Sequence, residues 1–198
     1  MVSNIKIGGA NLIDDSEFVT YKTSTTKWHK ENATCSKGYG YMNQLGLHLT
    51  SNAVNNGTAG YLDFVEQSIR YKLKADTYYT FSFYAKGTDG TGTDSKGASF
   101  NYKGRITTYV YPEVGTEIAD NMHTFNLTGE WKRYSYTFKT IADLDESRNY
   151  GYLFRLIKTT ENGTAYYSNA YICMPKLEEG TVATAWCTTD IDMKSYIT

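Results

Sequence analysis

The 198-residue chain sets 20 Lys and Arg against 21 Asp and Glu, and a net charge of −1 offers no global field to attract nucleic acid or an anionic membrane. No apolar run reaches the ~18 residues of a bilayer-spanning helix, and the opening MVSNIKIGGANLI lacks the basic-then-apolar pattern of a secretory leader. Aromatics make up 15%, with 19 tyrosines, 17 glycines and only 2 prolines, which favours short strands and glycine turns over a helical bundle.

Strand signals recur along the chain. GANLIDDSEF gives a first strand followed by an acidic cluster, Asp14, Asp15 and Glu17. LGLHL places Leu45, Leu47 and Leu49 on one face, and SIRYKLK sets Ile69, Tyr71 and Leu73 against Arg70, Lys72 and Lys74. Ala75-Asp76 turns the chain into YYTFSFYAKG. There Tyr79, Phe81, Phe83 and Ala85 belong in a core, and Thr80, Ser82, Tyr84 and Lys86 face out.

Gly87 to Gly104 reads as a long glycine-rich rim loop. RITTYVY then puts Ile106, Thr108 and Val110 opposite Arg105, Thr107, Tyr109 and Tyr111. EVGTEIADN is the one place for a short helix. EWKRYSYTFKT turns Tyr134, Tyr136 and Phe138 inward, Trp131 caps the core at its start, and YGYLFRLIK and AYYSNAYIC complete the strand series. In MPKLEEGTVATAW, Pro175 is expected to end the pairing, Gly180 to reverse the chain, and Val182, Ala183 and Trp186 to pack back onto the domain.

The pattern predicts an all-β, two-sheet antiparallel sandwich spanning residues 1–187, with 188–198 as a tail or connector. Cys35, Cys173 and Cys187 are odd in number and irregularly spaced, so free thiols in a reducing compartment are expected. Asn-x-Thr triplets at Asn32, Asn56, Asn126 and Asn162 are read as chance rather than as glycosylation sites.

Together, GANLIDDSEF, YYTFSFYAKG, EWKRYSYTF and AYICMPKLEEGTVATAW resemble carbohydrate-binding jelly-roll modules of galactose-binding-like fold. The closing Lys-Leu-Glu-x-Gly turn and Ala-Thr-x-Trp tail resemble those of such modules in bacteriophage tail, baseplate and fibre proteins. The resemblance covers about Asn11 to Trp186. It implies a virion module, made in the host cytoplasm, whose partners are host-surface glycan and other virion proteins, in a chain that can form a homo-oligomer. Many relatives carry an acid in the last strand for a structural calcium. NAYICMPKL has none there. Separately, the clustering of Asp14, Asp15 and Glu17 after the first strand marks them as candidate calcium ligands, with a solvated acidic turn as the alternative.

No catalytic constellation stands out. His29, His48 and His123 lie in unrelated contexts, no Cys or Ser has a motif that suggests activation by a base, and no carboxylate pair occupies a motif. Sugar recognition needs ring faces for the C–H side of a pyranose and polar partners for its hydroxyls. By strand parity Tyr84, Tyr109 and Tyr111, with Lys86 and Arg105, supply both and form the candidate carbohydrate site. The rival reading keeps the fold and makes this tyrosine face an assembly interface without sugar.

Overall fold

A computed structural model describes residues 9–19, 29–31, 33–50, 61–68, 73–93, 97–110, 122–144, 151–157, 159–162 and 164–188. Its strands are β1 (His29–Glu31), β2 (Ala33–Lys37), β3 (Leu45–Thr50), β4 (Tyr61–Ser68), β5 (Tyr78–Lys86), β6 (Gly90–Thr93) and β7 (Ser99–Lys103). They continue as β8 (Arg105–Val110), β9 (Met122–Asn126), β10 (Lys132–Lys139), β11 (Gly151–Ile157), β12 (Thr159–Glu161) and β13 (Thr164–Glu179). Among the described residues the only helical element is a 3-10 turn at Tyr41–Asn43. The expected short helix at EVGTEIADN, residues 69–72 of SIRYKLK, Tyr111 and the tail beyond residue 188 lie outside the described residues, while Leu73 is buried in the core as its place in the alternation predicts.

One sheet runs β1-β4-β11-β8-β9 and the other β10-β5-β13-β3-β2, with every neighbour in each order antiparallel. The fold is an antiparallel β-sandwich, as the strand series predicts. Tyr79, Phe81, Phe83 and Ala85 of β5, with Leu47, Leu49, Ala170, Ile172, Leu177, Tyr136 and Phe138, line the inner face of the second sheet. The first sheet answers with Ile106, buried, and Phe125, whose ring meets Phe83 edge-on at 5.4 Å. Alternation thus sorts the core residues of β3, β5 and β10 correctly.

Two expectations need correction. The Gly87–Gly104 stretch holds a hairpin, with β6 pairing antiparallel to β7 and β7 pairing parallel to β13. Gly90 faces Tyr102 and Gly92 faces Phe100. A Cβ on Gly90 would come within 2.6 Å of the Tyr102 hydroxyl oxygen and one on Gly92 within 2.5 Å of Phe100, so both rings lie across the glycine strand. Glycine here makes room for aromatic side chains rather than for a flexible rim.

Pro175, second, does not end the last strand. β13 continues to Glu179 through a bulge that inserts one residue between Cys173, opposite Tyr84, and Lys176, opposite Ser82. Met174 adopts a left-handed φ of 51° there. The extra residue reverses the alternation. Ala170 and Ile172 point inward before it and Leu177 after it, so Lys176 and Glu178 turn to the outer face.

That outer face is covered at its Lys176 end by residues 180–187. Thr80 Oγ1 donates to the Gly180 carbonyl at 2.8 Å. Arg133 bridges the Ser82 hydroxyl, at 2.9 Å, and the Thr184 carbonyl, and Lys176 Nζ donates to the Ala185 carbonyl at 2.8 Å. Val182, expected to pack, is 69% exposed, while Trp186 is half-buried. Polar anchoring dominates this closure. Asn11 completes it. Its amide nitrogen donates to the carbonyls of Pro175 and Cys187, and its oxygen accepts from the amides of Ile13 and Leu177, tying the first segment to the last strand and the tail.

Candidate functional site

The outer face of the β10-β5-β13-β3-β2 sheet has a second half that the tail does not cover. Register builds it: Lys86 of β5 pairs with Tyr171 of β13, which pairs with His48 of β3. Their neighbours Ala85, Ile172, Leu47 and Leu49 are buried in the core, so these three side chains stand in one row on the opposite face.

The row is aromatic and tightly ordered. Tyr171 and His48 stack at 4.0 Å with planes 2° apart, and Tyr39 meets both edge-on, at 5.6 and 5.7 Å. Lys86 Nζ lies 5.2 Å from the centre of the Tyr171 ring and 5.2 Å from that of Trp131. Trp131 in turn borders Tyr41, which stacks on Tyr84 at 4.8 Å. All of these side chains are half-buried.

Tyr39 and Tyr41 arrive from the β2–β3 connection, GYGYMNQ. The loop folds over the sheet because Gly40 and the neighbouring Gly46 allow backbone to touch backbone. A Cβ on Gly40 would sit 2.6 Å from the Leu45 carbonyl oxygen, and one on Gly46 would sit 2.5 Å from the Gly40 nitrogen. Met42 and Asn43 take left-handed φ values of 53° and 63° at the reversal, leaving Met42 75% exposed at the tip. Beneath the loop the Tyr41 amide donates to Cys173 Sγ at 3.1 Å, and burial pushes that thiol up to about 12.

The polar groups of the face combine donors and acceptors. His48 Nε2 donates to Asn169 Oδ1 at 2.8 Å, and burial lowers its pKa although this bond acts the other way, so the imidazole is neutral at pH 7. The Tyr171 hydroxyl is raised, first by burial and then by the nearby Tyr39 and Tyr102 hydroxyls. Tyr102 therefore brings the β6–β7 hairpin to the border of the same surface.

Of the residues that sequence parity selects, Tyr84 and Lys86 belong to this face, with Tyr84 covered by Tyr41. Arg105 and Tyr109 do not join them. Both lie in β8 of the other sheet, where Arg105 Nε donates to Asn126 Oδ1 at 3.1 Å and Tyr109 pairs with Met122 and Leu153. Alternation separates inside from outside within a strand but is silent on which sheet the strand joins, so one expected surface divides between two. Tyr111 is outside the described residues. Tyr39, Tyr41, His48, Trp131 and Tyr171 were not selected from the sequence. The signals for them are the glycine-bracketed tyrosines of GYGY and the positions of His48 and Tyr171 opposite core residues in LGLHL and NAYIC.

Among the described residues no three His, Cys, Asp or Glu side chains gather to hold a metal ion, and Asp14, Asp15 and Glu17 make no such group. Asp15 is buried in a turn of left-handed φ, 50°, that accepts the Phe18 amide on its carbonyl.

No family model matches the chain, and no curated protein does. Solved structures do. A putative sugar binding protein from Bacteroides thetaiotaomicron aligns with a TM-score of 0.54 at 13% identity, over 86% of this chain and 100% of the other. The carbohydrate-binding module TmCBM61, solved with β-1,4-galactotriose, aligns at 0.50 and 13% identity over 86% and 99%. The enzymatically active domain of tailspike protein 4 from bacteriophage CBA120 aligns at 0.55 and 11% identity over 86% of this chain but only 22% of its own. At these identities the likeness establishes the architecture: the chain folds as a jelly-roll β-sandwich like that of carbohydrate-binding modules.

Proposed function

We propose that the chain is a non-catalytic carbohydrate-binding module that takes its ligand on the outer face formed by Tyr39, His48, Lys86, Trp131, Asn169 and Tyr171. The observation that carries this reading is the cross-strand row Lys86–Tyr171–His48, flanked by Trp131 and Tyr39, on the half of the sheet that the tail leaves uncovered. Rings supply surfaces for the C–H side of a pyranose. The Lys86 ammonium, the Asn169 amide and the tyrosine hydroxyls supply partners for its oxygens. The jelly-roll fold shared with the sugar-binding neighbours supports the same reading.

We further propose that the module serves a bacteriophage virion, on a tail, fibre or baseplate, and contacts glycan of the host surface. Support comes from the KLEEGTVATAW closure and from the likeness to a tailspike segment. A glycan-array screen of the purified chain, with its mass in solution measured alongside, tests both steps. Sugar hits lost in Trp131→Ala and Tyr171→Ala support adhesion. A stable oligomer without any hit points instead to the face as an assembly interface.

A further inference from the structure

Among the described residues the cation at the centre of the face has no carboxylate partner. The described contacts of the Lys86 ammonium are the Trp131 and Tyr171 rings, and no acid of the described residues pairs with it. The stem of Lys86 rises from a strand position between buried Ala85 and buried Gly87, the residue is half-buried, and its ammonium lies beside two rings. Ring faces attract a cation by their quadrupole, but they accept no strong hydrogen bond and neutralise no charge.

The surrounding groups do not neutralise it either. His48 is kept neutral by burial, and its Nε2–H is directed to Asn169 Oδ1, which leaves the Asn169 amide nitrogen as a further donor. Asp89 lies three residues beyond Lys86 and Glu130 directly precedes Trp131, and both are exposed. Asp89 Oδ1 accepts the Gly104 amide at 3.0 Å. A neutral sugar presents hydroxyls that must donate as well as accept, and a site built for one benefits from carboxylate acceptors. Among the described residues this face has none. It has a positive charge with ring surfaces on two sides, which suits a pyranose bearing an anionic substituent.

We infer that the ligand is an acidic saccharide whose carboxylate or phosphate ester pairs with Lys86 while its ring packs against Trp131 or Tyr171. The inference rests on the carbohydrate-binding reading above and specifies the class of sugar. Reducing the uronic carboxyls of a bound polysaccharide to alcohols, or removing its phosphate esters chemically, tells the two anionic sources apart.

The test is an array of acidic and neutral bacterial polysaccharides, including carboxyl-reduced and dephosphorylated counterparts, probed with the wild type, Lys86→Gln and Lys86→Arg. Melting curves of the three proteins show that each is folded. The expected result is binding confined to acidic members, lost with the carboxylate or the phosphate, weakened at least tenfold in Lys86→Gln, largely kept in Lys86→Arg, and falling as salt is raised. Binding of neutral polysaccharides with equal strength by wild type and Lys86→Gln, insensitive to salt, overturns the acidic-ligand inference and leaves the carbohydrate-binding reading standing. Absence of every polysaccharide from the hits overturns both.

Discussion

Lys176 Nζ and Glu178 Oε2 lie 3.1 Å apart, each side chain only 1% exposed, on the outer face of a sheet where one bulge has placed them. Thr184 caps the pair. Its amide donates to Glu178 Oε1 at 2.8 Å, its hydroxyl to Oε2 at 2.5 Å, and its oxygen receives Lys176 Nζ at 2.7 Å. Gly9 adds its amide to the same carboxylate at 3.0 Å, so both ends of the described chain converge on one buried charge. Removing one partner strands the other without water. Lys176→Met is expected to cost about 3–5 kcal/mol, and thermal melts of the variant should show a large fall in Tm. A Tm within a degree or two of the wild type would mean that the tail does not seal the pair.

The same carboxylate sets an acid dependence. Burial raises the Glu178 pKa, but the two bonds from Thr184, with the bond and charge of Lys176, outweigh it and hold the group below its usual value. A depressed folded pKa contributes stability that is fully present above the unfolded value of about 4.3 and is lost as pH falls through the folded one. The urea midpoint of wild type should therefore exceed that of Glu178→Gln by a constant margin above about pH 5. The margin should narrow below about 4.3. A margin that stays constant down to pH 2 would contradict the assignment.

Cys173 and Cys187 should separate cleanly in thiol labelling. Cys187 is exposed, whereas Cys173 is buried under the Tyr41 loop with its thiol pushed up to about 12. Since the thiolate is the reactive form, peptide mapping after brief labelling of the native protein at pH 8 should find Cys187 modified and Cys173 intact until the protein is unfolded. Early labelling of Cys173 would show that the loop opens readily.

The glycines of the Tyr39–Tyr41 loop should matter to ligand binding more than to the fold. A Cβ at Gly40 or Gly46 meets backbone at 2.6 or 2.5 Å, so Gly40→Ala must displace the loop that carries both rings. Titration should show weakened sugar binding with far-ultraviolet circular dichroism unchanged. Unaltered affinity would place Tyr39 and Tyr41 outside the contact surface.

The sandwich was legible because its strands alternate plainly. Phe81 and Phe83 turn in and Ser82 turns out, and period two records only that local choice. The last strand was misread at Pro175, where a bulge, invisible to a pattern of fixed period, carries the strand four residues further and makes Lys176 and Glu178 buried anchors rather than turn residues. The candidate site was half legible. Parity put Tyr84 and Lys86 outside correctly. It grouped Arg105 and Tyr109 with them because sheet membership depends on pairings distant in sequence, such as Tyr171 with Lys86, that no local pattern encodes. Tyr39 and Tyr41 come from a loop whose path is set by backbone contact at Gly40 and Gly46, which only the folded chain reveals.

The central claim, that the Lys86–Tyr171–His48 face binds carbohydrate, is tested most directly by calorimetric titration of an array-identified oligosaccharide into wild type, Tyr171→Ala and Phe81→Ala. Tyr171 is half-buried in the aromatic row, so its loss should weaken binding at least tenfold, equivalent to about 1.4 kcal/mol, while the protein stays folded. Phe81 is fully buried in the core, and its loss should lower stability by about 3–5 kcal/mol while the fraction that remains folded keeps its affinity. Unchanged affinity in a folded Tyr171→Ala protein would contradict the claim.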